Sequence, residues 1–134
     1  MFATAYGMCY KIVQKGSMQR TFVEFEGVTR VLRANGVADD VLMAMQRRIL
    51  RGEGDLVKGG SGLRKIRCAA AGRGKSGGLR VLYADYPDSG VCLLVAAFAK
   101  NVRENITKQQ QNELAQLKKK LDILMRRHRI EKRG

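Results

Sequence analysis

The chain has 134 residues, with 26 Lys and Arg against 12 Asp and Glu, a net charge of +14, and 45% hydrophobic residues. This is one domain's length, with apolar content for a modest core, so the chain need not be disordered, and a two-domain cofactor enzyme does not fit. One His and no Trp leave no two-histidine ribonuclease mechanism and no His-rich metal site.

Residues 1–17 read as a segment apart from the rest. Tyr6, Met8, Tyr10 and Ile12 alternate, which permits a short extra strand. Two alternatives stand: a genuine arm, or a segment upstream of a natural start at Met18. Thr21 to Glu26 reads as a strand, rich in β-branched and aromatic residues. Val28 to Ala34 reads as a short helix stopped at Asn35-Gly36. Asp39 to Leu50 is a stronger helix. Asp39 or its neighbour caps it, Leu42, Met45 and Ile49 form its apolar stripe, and Gly52 ends it.

Gly52 to Gly62 holds five glycines and reads as a loop. Three strands follow: Leu63 to Ala70, Gly78 to Tyr86, and Val91 to Lys100. The apolar run Val91 to Phe98 predicts a central strand covered on both faces. Pro87-Asp88-Ser89-Gly90 has turn chemistry, so the last two strands form an antiparallel hairpin. The C-terminal third is a helix. Thr107 and Gln110 make a capping box, and Leu114, Leu117, Leu121 and Leu124 make one apolar stripe. Residues 128–134 read as a basic tail. The expected fold class is α+β: an antiparallel-rich sheet of about four strands, with helices before it and one after.

The charge points to a polyanionic partner. Cys9, Cys68 and Cys92 are odd in number, make no C-x-x-C pair, and fit a cytoplasmic protein; Cys68 and Cys92 sit among apolar residues as core fillers. No run reaches the ~18 apolar residues of a membrane span, so no membrane partner is expected.

Between Leu56 and Ala84 there are seven Lys or Arg and no Asp or Glu. Alternation in the first of the three strands puts Lys65 and Arg67 on one face and Ile66 and Cys68 on the other. The two cations stand about 7 Å apart by strand rise. Arg80 on the neighbouring strand can join them, although Leu82 shares its side. Arg73 and Lys75, on a glycine-rich loop, can fold over the same place. Paired guanidinium donors and ammonium charges suit a phosphodiester. RNA can supply its own nucleophile, the 2′-OH beside the scissile phosphate. The protein then supplies a base, charge stabilisation and an acid. Lys enters as a candidate base because crowding by like charge lowers an amine's pKa. A basic binding strip without chemistry explains the same composition. Ala69-x-x-x-x-Gly74-Lys75-Ser76 approximates a nucleotide phosphate loop, but it leads into a predicted strand and not into the helix that such a loop needs. Metal-dependent cleavage needs converging carboxylates, and the acids here are scattered, so no metal or other cofactor is expected.

The run Gly62-Leu63-Arg64-Lys65-Ile66-Arg67, the loop Gly72-Arg73-Gly74-Lys75-Ser76-Gly77-Gly78, then Leu79-Arg80-Val81-Leu82-Tyr83 and Phe98-Ala99-Lys100-Asn101 together resemble the RelE/HigB family of bacterial type II toxins, most of all its HigB branch. The resemblance spans about Phe22 to Leu117 in element order, and its specificity lies in the ordered set. It implies a small microbial-ribonuclease-like fold over 18–127 and ribosome-dependent, metal-free cleavage of mRNA. It implies Lys65, Arg67, Arg80 and Lys100 as catalytic residues, with Lys65 or Lys100 as base and Arg67 and Arg80 on the phosphate. It places Arg64, Arg73, Lys75, Tyr83 and Arg103 as RNA-binding candidates, with core packing the alternative for Tyr83. Val102-Arg103 departs from the acidic residue that often follows this Lys-Asn pair, so Arg103 adds to the site. The implied partners are the ribosome with its mRNA, and a helix-turn-helix antitoxin through which the pair reaches operator DNA. A gyrase-poisoning branch of the same fold class lacks these cations. The alternative of another class is a non-catalytic RNA- or ribosome-binding protein.

Overall fold

The computed structural model describes residues 9–15, 18–70, 78–99 and 107–133, with side chains described over 20–70, 78–99 and 107–127. Strands β1 (Cys9–Lys15) and β2 (Met18–Glu24) precede helices α1 (Glu26–Ala34) and α2 (Asp39–Leu50). Strands β3 (Asp55–Leu56), β4 (Arg64–Cys68), β5 (Leu79–Tyr86) and β6 (Val91–Ala99) follow, and helix α3 (Lys108–Arg133) ends the chain. The six strands form one sheet in the order β1-β2-β6-β5-β4-β3. Only β2 and β6 are parallel among these neighbours; the rest are antiparallel. The expected α+β class holds.

The sheet is wider than the four strands expected. The alternating arm contributes β1, which pairs with β2 along its whole length. Two residues of the glycine-rich loop contribute β3, paired through Asp55 with Lys65 and Leu56 with Arg64. A two-residue strand carries no periodic signal, so sequence patterning cannot reveal it.

The centre of the sheet follows the apolar pattern. Cys92 to Val95 of β6 and Val81 to Ala84 of β5 are buried consecutively. Consecutive burial means cover on both faces, as predicted for β6. The register between these strands shifts at Leu82/Tyr83, a β-bulge. Cys68 and Cys92 are core residues, and burial pushes both thiols up, away from reactivity. Arg20 of β2 donates to Asp85 of β5 at 2.9 Å, tying together the two neighbours of β6.

The helix ends depart from expectation at two points. Helix α1 starts at Glu26, two residues early, and Ala38 stands at the N-cap of α2 with no side-chain capping bond. Asp39 therefore lies in the first turn, where its charge meets the positive end of the helix. Asn35-Gly36 does stop α1: Gly36 has φ +64° and the Asn35 side chain donates to Val31 O.

Helix α3 opens with the predicted capping box. Gln110 N donates to Thr107 Oγ1 at 3.2 Å, and Thr107 N donates to Gln110 Oε1 at 3.0 Å. The helix continues through Arg133, so residues 128–133 are helical backbone and not a separate tail. Its buried stripe is Leu114, Leu121 and Met125, with Leu117 packed alongside. Leu124 is 57% exposed. A step of three and a step of four both fit helical spacing from Leu121, and the helix buries the residue four on.

The helix is fastened to the sheet by a polar clasp. Tyr86 OH donates to Asp122 Oδ1 at 2.7 Å, Lys118 Nζ donates to the same oxygen at 2.6 Å, and Lys118 stands 5.3 Å over the Tyr86 ring. Burial raises the Asp122 carboxyl, but bonds from Lys118 and Tyr86, with the Lys118 and Arg126 charges, outweigh it and hold it below the usual range. A depressed carboxyl stabilises the fold above its unfolded pKa, and that contribution fades as pH falls through the folded value. Tyr86→Phe keeps the ring under Lys118 and is expected to cost about 1 kcal/mol, a few degrees of Tm. Asp122→Asn is expected to lose less stability than wild type between neutral and acid pH; thermal melts across that range check both.

Candidate active site

Strand β4 is buried on one face and open on the other. Ile66 and Cys68 are buried, while Lys65 and Arg67 are exposed. The neighbouring β5 runs antiparallel, with Arg67 directly opposite Arg80, Ile66 opposite Val81 and Cys68 opposite Leu79. The apolar pairs on the inner face thus fix the cationic pair on the outer one. Side chains at such opposed positions have Cβ atoms about 4.5–5.5 Å apart. Two arginines are thus held opposite each other across the strands.

Arg80 is partly withdrawn from water, and its Nη1 is buried with no hydrogen-bond partner. Burial first, and the Arg67 charge second, pull its pKa down. Guanidinium nevertheless keeps its charge. A buried donor without a partner beside a second cation is a place prepared for an anion.

The pocket around this pair has a volume of about 380 Å³ and is lined by Arg48, Glu53, Asp55, Lys65, Ile66, Arg67 and Arg80. Three of these residues were missed in the sequence. Arg48 comes from α2; its Nη1 donates to the Arg67 carbonyl at 3.0 Å and its Nε meets Glu53 at 3.5 Å. Glu53 is also held by Arg51 at 2.7 Å. The hydrogen bond from Arg51 leads the causes that keep the Glu53 carboxyl below its ordinary range. Asp55 is opposite Lys65 in the β3–β4 register.

Two expected RNA contacts belong elsewhere. Tyr83 is 1% exposed, and burial pushes its phenol up to about 12. A ring enclosed in the core cannot stack on a base. Arg64 pairs with Tyr83 across the strands, on the face opposite Lys65 and Arg67, and its Nη1 donates to Gly54 O at 2.7 Å. Its role is to fasten the loop before β3. Arg73, Lys75, Lys100 and Arg103 lie outside the described residues. The phosphate-loop approximation also fails on structure, because β5 follows it.

A second pocket, of about 240 Å³, lies where the β5–β6 turn meets α3. Its Asp85 and Asp122 are already engaged by Arg20, Tyr86 and Lys118. Among the described residues no group of three His, Cys, Asp or Glu is arranged to hold a metal ion, and no helix is long and apolar enough to cross a membrane.

A family model described as the RelE toxin of the RelE / RelB toxin-antitoxin system matches residues 20–132. The chain belongs to the RelE toxin family. It is therefore the toxin of a toxin–antitoxin system, with an antitoxin as partner. RelE-family toxins are in general ribonucleases. The match takes in β2 to α3, and so every element that carries the cationic pocket of this RelE-family chain.

Opposed like charges destabilise a sheet. Arg67→Gln is expected to raise the Tm at low salt, and less so at high salt. Inorganic sulfate should raise the wild-type Tm beyond chloride of equal ionic strength, and this excess should vanish in Arg80→Met. Differential scanning fluorimetry in the two salts measures both.

Proposed function

We propose that this RelE-family toxin is an endoribonuclease of the HigB branch that cuts translated mRNA on the ribosome. The observation that carries the reading is the cross-strand pair Arg67 and Arg80 in an open pocket with Lys65. A scissile phosphate gains charge as the 2′ oxygen attacks, and preformed guanidinium donors favour that state over the starting diester. Arg67 and Arg80 hold the phosphate, and Lys65 is the pocket's cation for proton transfer. The basic loop with Arg73 and Lys75, and Lys100 followed by Asn101, are the sequence features that favour the HigB branch. In this reading Arg73, Lys75 and Arg103 hold the RNA backbone, and Lys100 joins the catalytic set.

In this reading the ribosome positions the message over the pocket. It holds the message extended and brings ribosomal RNA against a +14 surface. The site of action is then the cytoplasm. The antitoxin is a helix-turn-helix protein with an acidic or amphipathic segment, and through it the toxin reaches operator DNA.

Expression under tight induction tests the reading. Wild type is expected to arrest growth and to produce new mRNA 5′ ends at codon-related positions. Removing one charge-stabilising donor costs about 10²–10³ in rate, so Arg67→Ala/Arg80→Ala should produce neither. Growth arrest without new ends would instead favour a protein that binds RNA or ribosomes without cutting.

A further inference from the structure

We propose that Asp55 is the proton acceptor of this site, taking the proton from the attacking 2′-OH of RNA held on Arg67 and Arg80. The inference rests on the ribonuclease reading above. It starts from an oddity of charge. A pocket that only binds phosphate gains nothing from a carboxylate, which repels the backbone it must hold. Yet two carboxylates, Glu53 and Asp55, line the pocket beside four cations.

Their placement is built into the backbone. Gly54 lies between them, and a Cβ on Gly54 would overlap the Tyr83 hydroxyl. Arg64 holds the Gly54 carbonyl at 2.7 Å. The chain at Gly54 is therefore pressed onto the core side of the sheet. Alternation along an extended segment turns the residues on either side the other way, and both line the pocket. The β3 pairing then sets Asp55 opposite Lys65, two residues along β4 from Arg67.

The two carboxylates are not equivalent. Glu53 is held by Arg51 and Arg48. Those bonds occupy its oxygens and favour its ionised form, so it braces the loop. Asp55 has no hydrogen bond or ion pair among the described residues, and it is exposed. It is free to turn toward a substrate hydroxyl.

The 2′-OH proton passes to the Asp55 carboxylate while the 2′ oxygen bonds to phosphorus. The P–O5′ bond breaks, and its electron pair leaves with the 5′ oxygen. Lys65 gives that oxygen a proton. The products are a 2′,3′-cyclic phosphate and a 5′-OH; water then takes the proton from Asp55 and returns one to Lys65. Arg67 and Arg80 carry the negative charge between these events.

The test is single-turnover cleavage of a message on purified ribosomes, run across pH with wild type, Asp55→Asn, Asp55→Glu and Arg67→Ala. Binding is measured in parallel to a message with 2′-O-methyl at the mapped cut. Loss of a general base costs on the order of 10²–10⁴ in rate, so Asp55→Asn should fall by at least about 10²-fold. Its affinity for the blocked message should be unchanged or tighter. Wild type should lose rate on the acid side, Asp55→Asn should lack that limb, and Asp55→Glu should regain part of the rate. A rate for Asp55→Asn within about threefold of wild type overturns the assignment. So does a parallel loss of binding, or an unaltered pH profile. If wild type itself leaves the message intact, the ribonuclease reading falls and this assignment falls with it. Cleavage by wild type that is lost in Arg67→Ala but kept in Asp55→Asn rejects Asp55 alone.

Discussion

Arg67 and Arg80 face each other across two antiparallel strands, and neither can leave without the sheet losing its register. On the reverse face the same register aligns Ile66 with Val81 and Cys68 with Leu79, all buried. A slip of one residue would turn those apolar side chains outward and the arginines inward. The core thus enforces a repulsion that the folded chain would otherwise relax. Stability given up on one face of β4 and β5 is supplied by the other. A site whose free state is strained by its own charge binds an anion with that strain relieved, which is how a small fold gains selectivity for a polyanion.

The segment after α2 serves both faces of this arrangement. Arg48 and Arg51 leave the end of the helix and converge on Glu53. Arg64 and Tyr83 hold Gly54 from the core side. A short stretch of chain is thereby fixed from two directions, and it brings acidic groups to a pocket otherwise made of cations. Helix, loop and sheet edge act as one support, so a disturbance at Arg48 reaches both Glu53 and the Arg67 backbone.

Much of this was legible in the chain. The alternation at Lys65-Ile66-Arg67-Cys68 gave the outward cations and the inward apolar pair, and the structure agrees. The apolar run in β6, the Pro87–Gly90 turn and the Thr107–Gln110 box were equally plain. For Tyr83 the sequence left RNA contact and core packing both open, because where both faces of a strand are covered alternation says nothing about exposure; the structure buries it. Leu124 was misplaced because two helical spacings fit one pattern. Arg48, Glu53 and Asp55 reach the site from a helix, the loop after it and a two-residue strand, all before β4 in the chain. No local period marks them, and the spacing Glu53-Gly54-Asp55 was their single sequence signal. Arg73, Lys75, Lys100 and Arg103 carry sequence-based assignments only.

The bond from Arg48 to the Arg67 carbonyl has a further consequence, for what the sheet can join. Strand β3 pairs with β4 only at Arg64 and Lys65, so among the described residues no strand pairs with the outer margin of β4 from Ile66 onward. Bare strand margins attract other strands, from a second copy or from misfolded chains. Here a guanidinium already takes the backbone acceptor that an incoming strand would use, and it adds positive charge at the same place. The pocket therefore stays open while its margin remains a poor template for another polypeptide. One arginine both lines the pocket and occupies the strand margin beside it.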